Sequence, residues 1–273
     1  MTVDVTPTFF HSNQRSDIKT AVLIPCYNEE LTIKDVVKDF KNILPNAQIY
    51  VYDNNSSDQT ITNAEAAGAI VRTEPRQGKG NVIRRMFADI EADFYLLVDG
   101  DATYDASAAP DMLTLAQKQR LDMVNGVRVT DRQAAYRYGH VMGNKVLTGL
   151  VRFIFGNGSK DILSGYRVFS KRFVKSFPAL SSGFEIETEF TVHALKLSMP
   201  IGEIETTYIE RPQGSVSKLN TYQDGIRILL TILNLLRRER PLLFFSVLAV
   251  VLSATGRSEE RRVGKCRSRW SPD

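Results

Sequence analysis

Two carboxylates one residue apart, Asp99 and Asp101, flank Gly100 directly after the apolar run FYLLV. If the chain turns at Gly100, both can face one ligand. Hard oxygen donors of this kind suit Mg2+ or Mn2+, ions that usually share their shell with substrate phosphates. Such an ion neutralises charge developing on a diphosphate leaving group. Three further clusters carry compatible chemistry. Asp53 directly follows the run QIYVY, where a carboxylate can accept hydrogen bonds from a ribose hydroxyl or a base N–H. Gly78-Lys79-Gly80 follows Arg76. Its glycines admit close approach to phosphate, and Lys79 adds charge at the start of a helix. Pro25-Cys26-Tyr27-Asn28-Glu29 offers an aromatic face for a base beside another helix start. The spacing GxxxxGK[ST] is absent, and the first strand does not lead into GxGxxG. A phosphate loop of nucleotide triphosphatases and a nicotinamide-dinucleotide site are therefore disfavoured.

The elements that must position these residues are legible in the hydrophobic pattern. A continuous apolar strand is expected over residues 20–25. Asn28 then reads as an N-cap, with Glu29 and Glu30 in the first turn of a helix reaching about residue 44. Strand 48–52 follows, then a helix capped by Ser57 or Asp58 and closed by Gly68, then strand 69–72. A helix opens at the Gly78-Lys79-Gly80 turn, and strand 94–98 ends on the acidic pair. Beyond it the pattern predicts helices over 112–119, 136–155, 185–197 and 222–238, with strands over 123–129, 168–169 and 201–209. Strand alternating with helix implies an α/β, Rossmann-like, mostly parallel sheet flanked by helices. Ligands of such sheets bind at the carboxyl ends of the strands, so the loops after Pro25, Tyr52 and Val98 should converge.

Composition narrows the class. A chain of 273 residues with 43% hydrophobic residues can build a sizeable core without disulfides. The net charge is +4, but residues 257–273 hold six Lys/Arg against three Asp/Glu, so the rest is nearly neutral. That distribution gives no reason to expect a nucleic-acid partner. Cys26 and Cys266 have no metal-ligand or disulfide spacing, which fits a reducing, cytosolic face. Residues 1–17 read as a flexible lead-in, not a signal peptide. A catalytic unit spans 18–218, and an amphipathic juxtamembrane helix spans 219–240. Residues 241–256 read as a truncated membrane segment: the apolar run 242–254 follows Arg237-Arg238-Glu239-Arg240 but is shorter than the roughly 20 residues of a straight span. Residues 257–273 change composition abruptly, resemble translated adapter sequence and are expected to carry no function.

Taken in order, PCYNE, YDNNSSDQT, QGKG, LLVDGD, DILSGYRVF and ERPQGSVSKL resemble the GT-A glycosyltransferases of family 2, specifically the polyprenyl-phosphate glycosyltransferases. The resemblance covers about residues 19–252. It implies a GT-A fold with C-terminal amphipathic and membrane helices. It implies that Pro25, Tyr27, Glu29 and Asp53 surround the base and ribose of a GDP- or UDP-hexose, and that Gly78 and Lys79 form the turn near the nucleotide. Asp99 and Asp101 match the family's metal and diphosphate motif and are both expected at the metal, Asp101 as the firmer ligand and Asp99 also as a nucleotide contact. Relatives often place a further ligand, Gln, where this chain has Thr103. Arg128 matches an arginine at the reaction centre. Asp161, Ser164, Gly165 and Arg167 match an acceptor-side motif, and Arg211, Ser217 and Lys218 match a loop that holds the lipid phosphate.

The expected reaction is inverting transfer of a hexose to polyprenyl phosphate, catalysed at the cytoplasmic face of an inner or plasma membrane. A phosphate acceptor is already anionic near neutral pH, with a second pKa of about 6. No strong base is then required, so His11, His140 and His193 can be spectators, and Asp161 serves as an orienting group or at most a weak base. Transfer to a soluble or polymer hydroxyl and non-catalytic binding of sugar nucleotides are the alternatives. A homo-oligomer is left open.

Overall fold

The computed structural model describes residues 18–129, 138–156, 158–215, 218 and 221–267. Seven strands form one sheet: β1 (Thr20–Cys26), β2 (Gln48–Asp53), β3 (Ile70–Thr73), β4 (Phe94–Leu97), β5 (Met123–Val129), β6 (Arg167–Ser170) and β7 (Ile201–Thr207). Their order is β3-β2-β1-β4-β6-β5-β7. Every pairing is parallel except those of β6, which runs antiparallel to β4 and β5. Leu23 lies opposite both Tyr50 and Leu97, so β2, β1 and β4 end side by side. The three loops expected to converge therefore share one edge.

Both faces of the sheet are covered, as the continuous apolar strands require. Alternate residues of β1 enter different cores. Val22 and Ile24 pack with helices α1 (Ile33–Ile43), α2 (Thr60–Ala66) and α4 (Ala109–Gln119) through Val36, Val37, Phe40, Ala64 and Met112. Ala21 and Leu23 pack on the other face with α3 (Lys79–Asp89), α6 (Lys171–Ser176) and α7 (Ile186–Lys196). A third, smaller core joins α5 (Tyr138–Phe155) to α8 (Thr221–Glu239) through Val151, Ile154, Ile228 and Ile232.

The first helix begins later than its sequence suggests. Asn28 does not cap it: the backbone there is left-handed (φ 52°), and its Oδ1 accepts from Ser57 N at 2.8 Å. Residues 27–32 instead form a turn, and helix α1 starts at Ile33. The long loop is thus tied across to its neighbour, which a cap would not achieve. Neither Ser57 nor Asp58 is the N-cap of α2: that position is Gln59, which makes no side-chain cap bond, and Asp58, one residue earlier, accepts from Thr60 N at 3.0 Å and from Glu30 N at 3.1 Å.

At the C-terminal side, α8 is followed by α9 (Pro241–Arg267), and the chain breaks only at Arg240. The apolar run and the basic segment after residue 256 form one helix. Among the described residues no helix is long and apolar enough to cross a membrane. Exposed apolar side chains nevertheless line α8 (Ile226, Leu229, Leu230, Leu233) and the first half of α9 (Leu242, Phe245, Val250).

The aromatic layer under α7 bears most directly on the site. Phe169 of β6 is fully buried, stacks on Phe173 at 4.6 Å and lies 4.7 Å from Phe190 of α7. Replacing a buried Phe by Ala leaves a cavity and costs about 3–5 kcal/mol. Phe169→Ala is expected to lose stability of that order in denaturant unfolding, with the m-value unchanged.

Candidate active site

The first wall of the site is built from the ends of β1 and β2. Asp53 is 2% exposed; its Oδ2 accepts from Ser56 N at 3.0 Å, while the buried Oδ1 has no partner among the described residues. A buried carboxylate oxygen without a donor is costly, and a ligand N–H or O–H would satisfy it. Asn54, which the motifs did not single out, splices this loop to the Gly78 turn. Its amide donates to Glu74 O and Arg76 O, each at 2.8 Å, and its Oδ1 accepts from Gly78 N at 2.7 Å. Pro25 is half-buried, and Tyr27 is 39% exposed, which leaves its ring face open to a base.

Gly78 and Gly80 make room for a neighbouring stretch of backbone. A side chain on either would collide with the carbonyls of Ser182 or Ser181, and Gly80 N donates to Ser182 O at 2.9 Å. The backbone that comes close is therefore residues 181–182, leading into α7. Gly78 also has φ 128°, a conformation favouring glycine.

Lys79 sits in the middle of the site. Its Nζ lies 2.5 Å from Asp99 Oδ1 and 2.6 Å from Glu187 Oε1. Burial alone would lower the pKa of its ammonium, but the two carboxylates more than offset this and raise it. Lys79 is thus permanently charged. Glu187, on the first turn of α7, carries no motif signature. Only the fold brings it to the acidic pair.

The chain turns at Gly100 as the chemistry requires, and Ala102 is left-handed at φ 57°. A side chain on Gly100 would strike Cys26 Sγ. Asp101 is 4% exposed; Thr103 donates to its Oδ1 through N at 3.1 Å and Oγ1 at 2.6 Å. Its Oδ2 pairs with the guanidinium of Arg211. Burial and the charge of Asp99 both raise the pKa of Asp101, and Arg211 partly offsets them. Lys218 closes the same side, donating to Glu29 Oε1 at 2.8 Å and Asn28 O at 2.7 Å. Ser217 lies outside the described residues.

The opposite wall holds the Arg128–Asp161 pair. Arg128 Nε and Nη2 donate to the two carboxylate oxygens of Asp161 at 2.7 and 2.9 Å, a bidentate geometry. Asn144 of α5 and Leu163 N also donate to Asp161, at 2.9 and 3.2 Å. Burial would raise the pKa of Asp161, yet Arg128 and these donors hold it below the usual carboxylate range. A chain of contacts joins the two walls: Asp99 stands where a side chain of Gly165 would be, Gly165 N donates to Tyr104 Oη at 2.9 Å, and Tyr208 lies between Tyr104 and Arg128.

Two expected acceptor residues are not in the cleft. Arg167 is fully buried in the sheet. Its donors meet Ser164 O at 2.9 Å, Ile162 O at 2.7 Å and Thr191 Oγ1 at 3.0 Å, and it lies over the ring of Phe190. Burial pushes its pKa down to about 10. Ser164 is equally buried and donates to Gly126 O at 2.5 Å. Both shape the acceptor-side loop from beneath and have no surface to offer a phosphate. Sequence spacing could not show this, because an arginine on a four-residue strand looks the same whether it faces solvent or core.

The residues present fit a divalent ion. Among the described residues no group of three or more His, Cys, Asp or Glu is placed to hold a metal alone. Two carboxylates at one turn, Asp99 drawing the ammonium of Lys79 and Asp101 the guanidinium of Arg211, form a donor set that fits an ion completing its shell with ligand phosphate oxygens.

Residues 21–177 match the family model described as glycosyl transferase family 2. The chain belongs to that family. It is 36% identical to the glycosyltransferase AglJ of Haloferax volcanii, over 86% of this chain and 78% of that protein. It is 24% identical to the dolichyl-phosphate hexose transferase of the same organism, over 81% of this chain and 95% of that protein. Its fold resembles glucosyl-3-phosphoglycerate synthase from Mycobacterium tuberculosis, solved with Mn2+, UDP and phosphoglyceric acid: the TM-score is 0.65 at 20% identity, covering 79% of this chain and 78% of that one. The α/β architecture expected from the sequence is thus that of GT-A glycosyltransferases.

Two outcomes test the site's geometry. Gly80→Ala in this glycosyltransferase should cost about 1–3 kcal/mol of stability, read as a lower Tm, because the 181–182 backbone must move. The Arg128–Asp161 pair contributes stability that is present above the unfolded carboxylate pKa and lost as pH falls through the depressed folded value. Arg128→Gln should therefore flatten the acid limb of a stability-versus-pH curve measured by circular dichroism.

Proposed function

We propose that this family 2 glycosyltransferase moves a hexose from a GDP- or UDP-hexose to polyprenyl phosphate, with inversion, at the cytoplasmic face of an inner or plasma membrane. The observation that carries the proposal is the meeting of two chemistries at one sheet edge. Asp53, Asp99 and Asp101 suit a nucleotide diphosphate and its metal; Arg128, Arg211 and Lys218 suit an anionic acceptor. The dolichyl-phosphate hexose transferase likeness and the exposed apolar faces of α8 and α9 support a lipid acceptor.

On this reading Asp53 Oδ1 takes a ribose or base donor, and Tyr27 flanks the base. Asp99 and Asp101 hold Mg2+ or Mn2+, which supplies charge neutralisation at the diphosphate when bound. Arg211 and Lys218 both lie between β7 and α8, and their cations can pass from Asp101 and Glu29 to ligand phosphates. Asp161 keeps Arg128 rigid and charged beside the acceptor. With five donors on its carboxylate among the described residues, it serves as an orienting group rather than a base. An acceptor phosphate oxygen forms the new bond to the anomeric carbon as the nucleoside diphosphate departs with the bonding pair. Catalysis rests on positioning and electrostatics.

The test is a panel of GDP- and UDP-hexoses offered to the full chain with polyprenyl phosphate in mixed micelles and Mg2+ or Mn2+. Lipid-linked sugar is expected from one donor, and Asp101→Asn should reduce it at least about a hundredfold, the scale of one lost electrostatic contact to the transition state. Full metal-dependent turnover by Asp101→Asn would refute the metal assignment. Product only from soluble hydroxyl or phosphate acceptors would refute the lipid one.

A further inference from the structure

One ammonium serves two acids, the half-buried Asp99 of the acidic pair and the buried Glu187. Lys79 Nζ bonds Asp99 Oδ1 at 2.5 Å and Glu187 Oε1 at 2.6 Å, and the three side chains are 8%, 26% and 6% exposed respectively. Counted together the cluster carries one net negative charge. Without the charge of Glu187 it would carry none, and Lys79 would neutralise Asp99 outright. We propose that Glu187 is a positioning residue that shares Lys79 with Asp99 and so preserves the negative charge Asp99 presents to a divalent cation and donor diphosphate. The inference rests on the metal-and-donor reading above.

The surroundings support that role. Glu187 occupies the first turn of α7, where the helix dipole favours an anion. The approach to α7 is fixed to the Lys79 turn by the Gly80 N to Ser182 O bond and by the lack of room at both glycines. Phe184 places its ring 5.7 Å from Lys79 Nζ, which limits the ammonium's freedom to leave. Glu187 bonds Lys79, which bonds Asp99 in turn, so the bonded route from Glu187 to the acidic pair runs through Lys79. A buried carboxylate kept only for packing would be better replaced by an apolar group, since burial of charge is costly.

The experiment measures cation binding separately from turnover. Free Mn2+ is followed by electron paramagnetic resonance as the full chain is titrated, with UDP or GDP present. Glu187→Gln keeps the shape and an acceptor oxygen but removes the charge. It should weaken Mn2+ binding at least tenfold while folding normally by circular dichroism. Glu187→Asp, which restores the charge, should recover binding to within about threefold. The double change Lys79→Met with Glu187→Gln returns the cluster to one net negative charge and should also recover Mn2+ binding, whatever it does to turnover. A purely structural Glu187 predicts no recovery in the double variant. Unaltered Mn2+ binding by folded Glu187→Gln would overturn this inference alone. Absence of Mn2+ binding by every form, the unsubstituted chain included, would overturn the metal reading and this inference with it.

Discussion

The arrangement of this site depends on the balance between acids collected at the ends of parallel strands and the cations that reach them from elsewhere. Strands β1, β2 and β4 deliver Glu29, Asp53, Asp99 and Asp101 to one edge. Left alone, several buried carboxylates so close would repel one another and lose hydration. Lys79 answers Asp99, Arg211 answers Asp101, and Lys218 answers Glu29. Arg128 and Asp161 form a separate balanced pair on the far wall. The acids that suit a sugar nucleotide are thus tolerable in a folded protein because cations hold their places.

These cations are not equivalent. Lys79 is buried, double-bonded by acids and packed under Phe184, so it belongs to the framework. Arg211 and Lys218 come from between β7 and α8 and are about a quarter exposed. Their contacts are ones that metal and phosphate would compete for. Rigid and exchangeable charge therefore stand on either side of the same Asp-Gly-Asp turn. That division suits a site that must bind a highly charged donor and then release a charged product.

The glycines and small polar residues follow from how close the walls stand. Gly78 and Gly80 make room for the 181–182 backbone, Gly100 for Cys26, and Gly165 for Asp99. Arg167 and Ser164 lie beneath the acceptor-side loop and bond its carbonyls, holding it against β5. The aromatic layer of Phe169, Phe173, Phe177 and Phe190 seats α7, and with it Glu187, on the sheet. Packing on the far face of the sheet is in this way connected to charge at its edge.

Much of the fold was legible in the sequence because period and punctuation are local properties. The apolar runs ending at Pro25, Tyr52 and Val98 determined that three polar loops share an edge, and strand β5 was placed to the residue. The Asp-Gly-Asp pair, Asp53 and Lys79 could be picked out by type and position, and Arg128 by its match to the family's motif. Contacts between segments far apart in the chain were not legible, because no local pattern encodes them. Asn28 looked like a cap and became a cross-loop acceptor; the Gly78 turn also makes room for residues 181–182. Arg167 looked available and was buried. Glu187, 108 residues from Lys79, became its partner only when α7 packed on the sheet. The sequence by itself determined which charges exist and which strand ends carry them. Only the tertiary structure decided which charges meet, because pairing across such distances follows from packing and desolvation, not from spacing along the chain.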